Sequence, residues 1–371
     1  MKPRLRSVEI IRVPARSGGL VTLLRDGERI ATRAVEVPPP LDGVLDWLDG
    51  ETELATIVRR ASGMGVQRGE VDALLDLLEE TAMLDGPKAK ARRARLTAAF
   101  AAASTRPAAH AGGSYPGPRD ELRRFIRDEC LAAAGEEPAD AAASSGGALG
   151  APPAPQRSIA GLVAPHMDLY RAAGGYGRSY RALARARSGR ERVFFVLGTC
   201  HVGMQSAFAM TKKAFATPLG TLEVDGALCD RVRARSGVDV YRDEYKHKGE
   251  HSIEFQMVFL ANLLGEEGAA AARVVPILCG LGRAQARRMD PREDDEVERV
   301  LSVLEDEIAR LDGEAVVVAG ADLAHIGPRF GDRRALDAAG RSRLEARDRE
   351  TCRHLLELDA AGFFAHATED L

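Results

Sequence analysis

Histidines recur in this sequence at one kind of position, shortly after an apolar, β-branched stretch. His166 follows SIAGLVAP, His201 follows RVFFVLGTC, and His325 follows EAVVVAGADLA. Ligands of an open parallel sheet bind beyond the carboxyl ends of its strands, so these three side chains are expected at one edge. Two histidines and a carboxylate suit non-haem iron, and the same donors also suit zinc. The sequence therefore predicts a metal site at this edge.

Residues 247–251, HKGEH, have the H-x-x-E-H spacing of the inverted zinc proteases. That chemistry requires both histidines on one continuous helix. Gly249 costs about 1 kcal/mol there relative to alanine, and the apolar helical spacing begins only at Ile253. Ser252 is a good N-cap residue. We therefore predict a loop that leads into a helix and brings His251, with His247 as a further candidate, toward the metal site.

Four apolar stretches with strand character must position these histidines: SIAGLVAP, RVFFVLG, RVVPILCG and EAVVVAGA. Helical apolar spacing is found between them, in GGYGRSYRALARA, SIEFQMVFLANLL and DDEVERVLSVLEDEIARL. Near-continuous apolar strands that alternate with helices indicate an α/β fold. We predict a mostly parallel sheet with helices on both faces.

Composition and charge argue against several functional classes. The 371 residues carry 52 Lys and Arg against 55 Asp and Glu, and a net charge of −3 gives no electrostatic basis for binding nucleic acid or an anionic membrane. The five cysteines include no C-x-x-C pair, which disfavours a disulfide framework and a cysteine-only zinc site. No apolar run has the length of a signal peptide or a membrane span, so we expect a cytoplasmic protein.

The first 90 residues are predicted to form a separate small domain. Strand-like VEIIRVPA and GLVTLLRDGERIATRAVEV are followed by three prolines and then by helical LDGVLDWLDG, ELATIVRRAS and EVDALLDLLEETAMLDG. This order is typical of a winged-helix-like α+β module. In addition, LDWLDGETELATIV and LLDLLEETAMLDG resemble the PqqD-like modules that hold peptide substrates. A helical appendage used for packing or partner contact fits the same pattern.

Two further segments complete the predicted organisation. Residues 91–107 are basic and alanine-rich, and we expect a helical connector there. Residues 108–371 are assigned to the α/β domain. Within that domain, the low-complexity residues 135–156 are expected to form a flexible surface insertion.

From residue 110 onward the sequence resembles the Memo family. Six motifs carry the resemblance in the expected order: AGGSYPGPRDELRRFI, GLVAPHMDLYRAAGGYGRSYRAL, VFFVLGTCHVG, TPLGTLEVD, EHSIEFQMVFL and VVVAGADLAHIGPRFGD. The bacterial branch of this family is called AmmeMemoRadiSam system protein B. The resemblance implies a fold like that of the class III extradiol dioxygenases and a metal-capable pocket. It also implies a further helix and strand beyond residue 371, so we expect this chain to be shorter than its relatives.

The resemblance also assigns roles to single residues. His166 and His201 match the two family histidines that bind metal, and His251 matches a third histidine of the pocket. The remaining family ligand, a cysteine in the animal protein, falls at Ala324, which cannot coordinate a metal. Completion of the ligand set is therefore expected from one of three residues: Asp322, His325 or His251.

Three other residues near the strand ends are weaker candidates. Asp168 adds a carboxylate after His166, where the family usually has P-H-A-G. Cys200 and Cys279 also lie at strand ends, where a small buried side chain in the core is the commoner role for a cysteine.

The function implied by the resemblance is that of a metalloprotein with an iron- or copper-capable pocket and dioxygenase-like oxidoreductase chemistry. In it, His251, His325 or Asp322 would act as acid or base, and an imidazole pKa of about 6.5 suits that task. Two alternatives stay open. One is a non-enzymatic scaffold that binds a peptide or a partner, because the family name implies radical-SAM and AMMECR1-like associates. The other is a metal-dependent hydrolase that uses zinc.

Overall fold

A computed structural model describes residues 1–14, 18–132, 159–186, 191–280, 290–327 and 334–369. The insertion predicted at 135–156 lies outside these residues. The chain divides into two units, Met1–Ala102 with His325–Gly340 and Ala103–Ala324 with Arg341–Leu371. Among the described helices, none has the length and apolar character needed to cross a bilayer.

The N-terminal unit contains a small antiparallel sheet and several helices. The sheet has the strand order β1-β2-β3, with the bounds Glu9–Pro14, Leu20–Arg25 and Val35–Val37. After the prolines come a 3₁₀ helix (Leu41–Trp47) and three α-helices: α1 (Leu54–Ser62), α2 (Arg68–Glu80) and α3 (Pro87–Ala102). Leucine, isoleucine and valine side chains dominate the core of this unit. The strands and helical stretches predicted for the first 90 residues are therefore present.

The second unit is built around a five-stranded sheet of order β5-β11-β6-β10-β7, in which only β7 is antiparallel to its neighbour. Its strands are β5 (Gly161–Ala164), β6 (Arg192–Thr199), β7 (Phe208–Met210), β10 (Arg273–Cys279) and β11 (Glu314–Gly320). The four parallel strands lie in the four predicted stretches. A second sheet, of order β4-β8-β9, consists of Thr105–Arg106, Ala214–Thr217 and Gly220–Leu222.

Helices cover both faces of the large sheet, as predicted. One face carries α4 (Arg119–Phe125), its π-helical continuation Ile126–Leu131, α5 (Leu169–Arg185) and α7 (Ser252–Ala271). The other carries α6 (Gly226–Ser236) and α8 (Asp295–Ala309). Along β6, Phe194 and Val196 belong to the first core, whereas Val193 and Phe195 belong to the second. Burial on both sides explains why the central strands β6 and β10 are almost continuously apolar. The helices α9 (Ala338–Leu356) and α10 (Ala360–Thr368) follow.

Candidate metal centre

Three adjacent strands end in register at one edge of the large sheet. Gly320 of β11 pairs with Ala164 of β5 on one side and with Gly198 of β6 on the other. Shortly beyond this row, the chain reaches three side chains that can ligate a metal: His166, His201 and Asp322. The register of the parallel strands therefore brings residues that are distant in sequence to one edge.

Helix α7 brings a third histidine to the same edge. The helix begins at Ser252, with His251 as its N-cap residue, and the Ser252 hydroxyl donates to the carbonyl oxygen of Thr199 at 2.8 Å. Two glycines permit this close approach. A Cβ on Gly320 would lie 2.7 Å from the carbonyl oxygen of Ser252, and a Cβ on Gly198 would lie 2.5 Å from its Oγ. The absence of side chains at both strand ends lets α7 place His251 beside the sheet.

Residues 247–251 do not lie on helix α7. A 3₁₀ helix, Glu244–Lys248, is followed by Gly249 and Glu250 before the α-helix starts. The prediction that residues 247–251 precede the α-helix is confirmed, although His247 and Lys248 belong to a 3₁₀ helix and the N-cap residue is His251 rather than Ser252. The H-x-x-E-H spacing therefore does not place its two histidines on one protease-type helix.

His166, His201 and His251 form a close group of imidazoles. Each offers one ring nitrogen, and these nitrogens lie within 4.8 Å of one another. The ring centroid of His201 lies 5.0 Å from that of His166 and 4.6 Å from that of His251. His166 is buried, whereas the side chain of His201 is 37% exposed. The group is therefore anchored in the protein and accessible from solvent at His201.

Burial favours the neutral form of two of these rings. It lowers the pKa of His166 below the usual value of 6.5, although the Asp322 carboxylate opposes the shift. Burial also lowers the pKa of His251 to about 4, against the charge of Glu250. A neutral imidazole has a lone pair available for a cation, so both rings are suited to metal binding at neutral pH.

The Nδ1 atom of each ring faces a protein oxygen. Nδ1 of His166 lies 3.0 Å from the carbonyl oxygen of Gly320. Nδ1 of His201 lies 3.0 Å from Oε1 of Glu250, and Nδ1 of His251 lies 3.3 Å from the same oxygen. For His166 and His201, whose Nδ1 contacts are hydrogen bonds, these acceptors favour the tautomer with its proton on Nδ1 and leave Nε2 as a ligand atom. Metal-binding histidines commonly have this arrangement.

The buried carboxylate of Glu250 orients two of the three histidines. In addition to its contact with the His201 ring, it accepts backbone N–H groups of His201 at 3.0 Å, His251 at 2.8 Å and Ser252 at 3.0 Å. Burial by itself would raise the pKa of Glu250, but the hydrogen bonds and charge of His201 hold it well below its usual range. Glu250 is therefore a charged anchor that joins the end of β6 to the start of α7.

Asp322 lies next to His166. Its Oδ1 accepts the backbone N–H of His166 at 2.8 Å, and its Oδ2 lies 3.6 Å from Nε2 of that ring. The carboxylate is thus close to the ligand atom expected of His166. Ala324, at the position of the family cysteine, supplies no ligand.

Asp168 and the two strand-end cysteines have other partners. Asp168 is the N-cap residue of α5 and accepts the backbone N–H of Arg171 at 3.1 Å. The Cys200 thiol donates to the carbonyl oxygen of Val202 at 3.1 Å. Burial raises the pKa of Cys200 and that of Cys279 to about 12, so both thiols are protonated at neutral pH.

Two further histidine candidates lie apart from the three-ring group. His247 has its Nε2 3.0 Å from the carbonyl oxygen of Ala209, and its ring packs edge-on against Phe215. Its side chain is therefore directed to β7 and the core rather than presented as a ligand, and burial lowers its pKa to about 3. His325 belongs to the segment His325–Gly340, which is assigned to the other unit, so its acid or base role stays a prediction.

A buried network around Glu254 was missed by the sequence analysis. This completely buried carboxylate accepts hydrogen bonds from the Arg106 guanidinium, from two backbone N–H groups and from the Tyr115 hydroxyl. The predicted connector therefore ends in a strand whose Arg106 is a core residue. The sequence does contain a signal, because a glutamate in the apolar helix start SIEFQMVFL requires a buried partner. His110, whose ring centroid lies 5.6 Å from that of His251, was also missed.

Comparison with known proteins gives the same relationship as the motifs. The sequence model described as "Memo-like protein" matches residues 106–370. The chain is 25% identical over 346 residues to a "MEMO1 family protein" of Aquifex aeolicus, across 92% of this chain and 80% of that protein. It is 28% identical over 260 residues to one from Thermococcus onnurineus, across 68% and 77%. A third, from Methanopyrus kandleri, is 30% identical over 253 residues, across 68% and 76%.

Proposed function

This chain belongs to the Memo-like protein family, and we propose that it is a metal-dependent oxidoreductase with a mononuclear iron or copper site. The ligand atoms in this proposal are Nε2 of three residues: His166, His201 and His251. The observation that carries the proposal is the grouping of these three imidazoles, two of which, His166 and His201, have Nδ1 in a hydrogen bond with a protein oxygen. Such a hydrogen bond orients the ring and leaves its second nitrogen for a metal.

The donor set and its spacing fit such an ion. Iron, copper and zinc all accept imidazole, and two nitrogens bound to one metal at about 2.1 Å are separated by roughly 3 to 3.5 Å. One nitrogen of each ring lies within 4.8 Å of the other two, so the three donors are grouped closely enough for one ion once the rings draw together.

A bound iron or copper ion would supply one-electron redox chemistry toward dioxygen or an oxygen-bearing substrate. The chain itself contributes orientation and proton handling. Glu250 orients His201 and His251, and the carbonyl oxygen at the end of β11 orients His166. Since His251 acts as a ligand in this proposal, proton transfer falls to Asp322, whose Oδ2 lies 3.6 Å from Nε2 of His166. The family's likeness to the extradiol dioxygenases supports this reaction class.

Metal analysis after anaerobic purification tests the proposal. The full chain is expected to contain iron or copper in stoichiometric amount, and the variant with both His166→Ala and His201→Ala is expected to lose it. A matched control removes another histidine pair, His354 and His366, whose ring centroids lie 5.8 Å apart on α9 and α10. Stoichiometric metal in the first double variant would overturn the site. Oxygen uptake by the iron- or copper-loaded protein then tests the redox activity.

A zinc hydrolase is the second candidate, and the same three histidines favour it. Three neutral ligands with a free coordination position are also the ligand set of catalytic zinc. A protein that contains only zinc and consumes no dioxygen would support this candidate instead. The scaffold role with radical-SAM and AMMECR1-like partners stays a prediction.

A further inference from the structure

The backbone that carries Glu250 is held by an arginine far away in sequence. Nε of Arg106 donates to the carbonyl oxygen of His247 at 2.8 Å, and Nη2 of Arg106 donates to the carbonyl oxygen of Glu250 at 2.8 Å. One planar guanidinium therefore spans the loop from its first residue to its fourth. Arg106 is completely buried, so these carbonyls have a protein donor in place of water.

A second contact comes from His110, four residues after Arg106 in the chain. Nε2 of His110 lies 2.9 Å from the carbonyl oxygen of Gly249, between the two carbonyls that Arg106 binds. The His110 ring also packs edge-on against His251, with a centroid distance of 5.6 Å, and against Phe255, with a distance of 5.7 Å. His110 therefore contacts both the backbone of the loop and one of the three metal-site imidazoles.

The arginine and the histidine are in turn fixed by Glu254 in the first turn of α7. Its carboxylate pairs with the Arg106 guanidinium, and its Oε1 accepts the backbone N–H of His110 at 2.9 Å. Glu254 lies three residues after His251, at the start of the same helix. The segment that holds the loop is thus tied to the helix into which the loop leads.

We propose that Arg106 and His110 are positioning residues of the metal centre, which hold residues 247–251 in the conformation that presents Glu250 and His251. This inference rests on the proposed metal site and goes beyond its ligands. The donors act on three backbone carbonyls, so they determine where the anchoring carboxylate and the third imidazole lie. Loss of these donors is expected to weaken metal binding without removal of any ligand atom.

The positive charge of Arg106 and the hydrogen-bond geometry of its guanidinium can be tested separately. Arg106→Lys keeps a cation opposite Glu254, but an ammonium group cannot match the fixed fork that reaches two carbonyls and a carboxylate together. His110→Ala removes the contact with Gly249 and the ring contact with His251, while its backbone N–H still reaches Glu254. Tyr115→Phe is the matched control, because it removes one hydrogen bond to the same carboxylate and leaves the loop carbonyls untouched.

Two measurements on the full chain test the inference. The first is the dissociation constant of Co²⁺, followed by its visible absorption, which we expect to rise about tenfold or more for Arg106→Lys and for His110→Ala. Tyr115→Phe is expected to bind Co²⁺ as the unmodified protein does. The second is amide hydrogen exchange of residues 247–252 in metal-free protein, which is expected to accelerate in the first two variants and not in the control.

Each result has a distinct meaning. Unchanged Co²⁺ affinity in both Arg106→Lys and His110→Ala would overturn the inference, and so would an equal loss in Tyr115→Phe, because the effect would then be one of general stability. Failure of the unmodified chain to bind Co²⁺ would overturn the proposed metal site itself. In that event, exchange of the loop amides would still decide whether Arg106 and His110 order the loop.

Discussion

Nδ1 of His201 lies 3.0 Å from Oε1 and 3.1 Å from Oε2 of Glu250, so one carboxylate faces the imidazole with both of its oxygens. The same carboxylate accepts the backbone N–H groups of His251 and Ser252. A single buried charge thereby sets the position of one strand end relative to one helix start. The separation between two of the three imidazoles depends directly on this residue.

Glu250→Gln is expected to weaken metal binding by about 10- to 100-fold, the effect typical of residues that orient metal ligands. Glutamine has one acceptor oxygen for several N–H donors, and it lacks the charge that favours the Nδ1 proton of His201. A chelator competition assay with Co²⁺ measures the loss. Glu244→Gln, a nearby acidic side chain that accepts the Thr211 hydroxyl, is the control and is expected to keep its affinity. Equal affinity of the Glu250 variant and the unmodified protein would contradict the anchoring role.

Gly320→Ala is expected to destabilise the α/β unit by about 1–3 kcal/mol, the usual effect of overpacking. The added Cβ would lie 2.7 Å from the carbonyl oxygen of Ser252 and 2.8 Å from Nε2 of Gln256, so α7 must move away from the sheet. Gly203→Ala is the control, since its Cβ would meet nothing within 4 Å. Thermal unfolding followed by circular dichroism compares the two. A Gly320 variant as stable as the Gly203 variant would show that α7 is free to shift.

His247 is expected to make the folded state less stable at acidic pH. Burial lowers its pKa to about 3 from the usual 6.5, so between these values the unfolded chain binds a proton that the folded chain does not. Stability therefore falls as the pH is lowered through this range, by about 2 kcal/mol between pH 7 and pH 5.

The His247→Gln variant isolates this contribution. Glutamine keeps an N–H donor for the carbonyl oxygen of Ala209 and cannot titrate. The free energy of unfolding, measured in urea at pH 7 and at pH 5, is expected to fall less for the variant than for the unmodified protein. An identical pH dependence of the two proteins would mean that the His247 ring is reached by solvent.

The cysteines are expected to react with iodoacetamide in two groups. Burial raises the pKa to about 12 for four of them: Cys130, Cys200, Cys229 and Cys279. Because the thiolate is the nucleophile, these residues should stay unmodified in the native protein near neutral pH. Cys352 is exposed and should be alkylated first. Mass spectrometry of the digested protein identifies the sites, with urea-unfolded protein as the fully labelled control. Rapid labelling of Cys200 would show that the strand end beside His201 opens to solvent.

The parts of the fold that could be predicted are those whose sequence pattern reflects burial. The central strands β6 and β10 are almost continuously apolar because helices cover both faces of the sheet, and α5 and α8 have the apolar spacing of helices with one buried face. The short strands β4, β7, β8 and β9, of two to four residues, are too short to give a periodic signal. The small sheet of β4, β8 and β9, and the antiparallel edge strand β7 of the large sheet, depend on pairing with distant segments.

Some features of the candidate site could likewise be predicted from the sequence, and others could not. The positions of His166 and His201 after two strands could be predicted, because the ends of parallel strands meet at one edge. The role of Arg106 could not, since its partners are carbonyls and a carboxylate about 140 to 150 residues away. Nor does sequence spacing show that His247 binds a backbone carbonyl while His251, four residues later, faces the other two imidazoles.

The sequence by itself determined the α/β class, the order of the parallel-strand stretches, the family and the set of histidines from which a site could be built. The tertiary structure decided which histidines meet and, for His166 and His201, which ring nitrogen is hydrogen-bonded. The physical reason is that local pattern records burial and backbone propensity, whereas ligand geometry depends on contacts between distant segments. Here those contacts are the approach of Ser252 to Gly198 and Gly320 and the hydrogen bonds of Glu250.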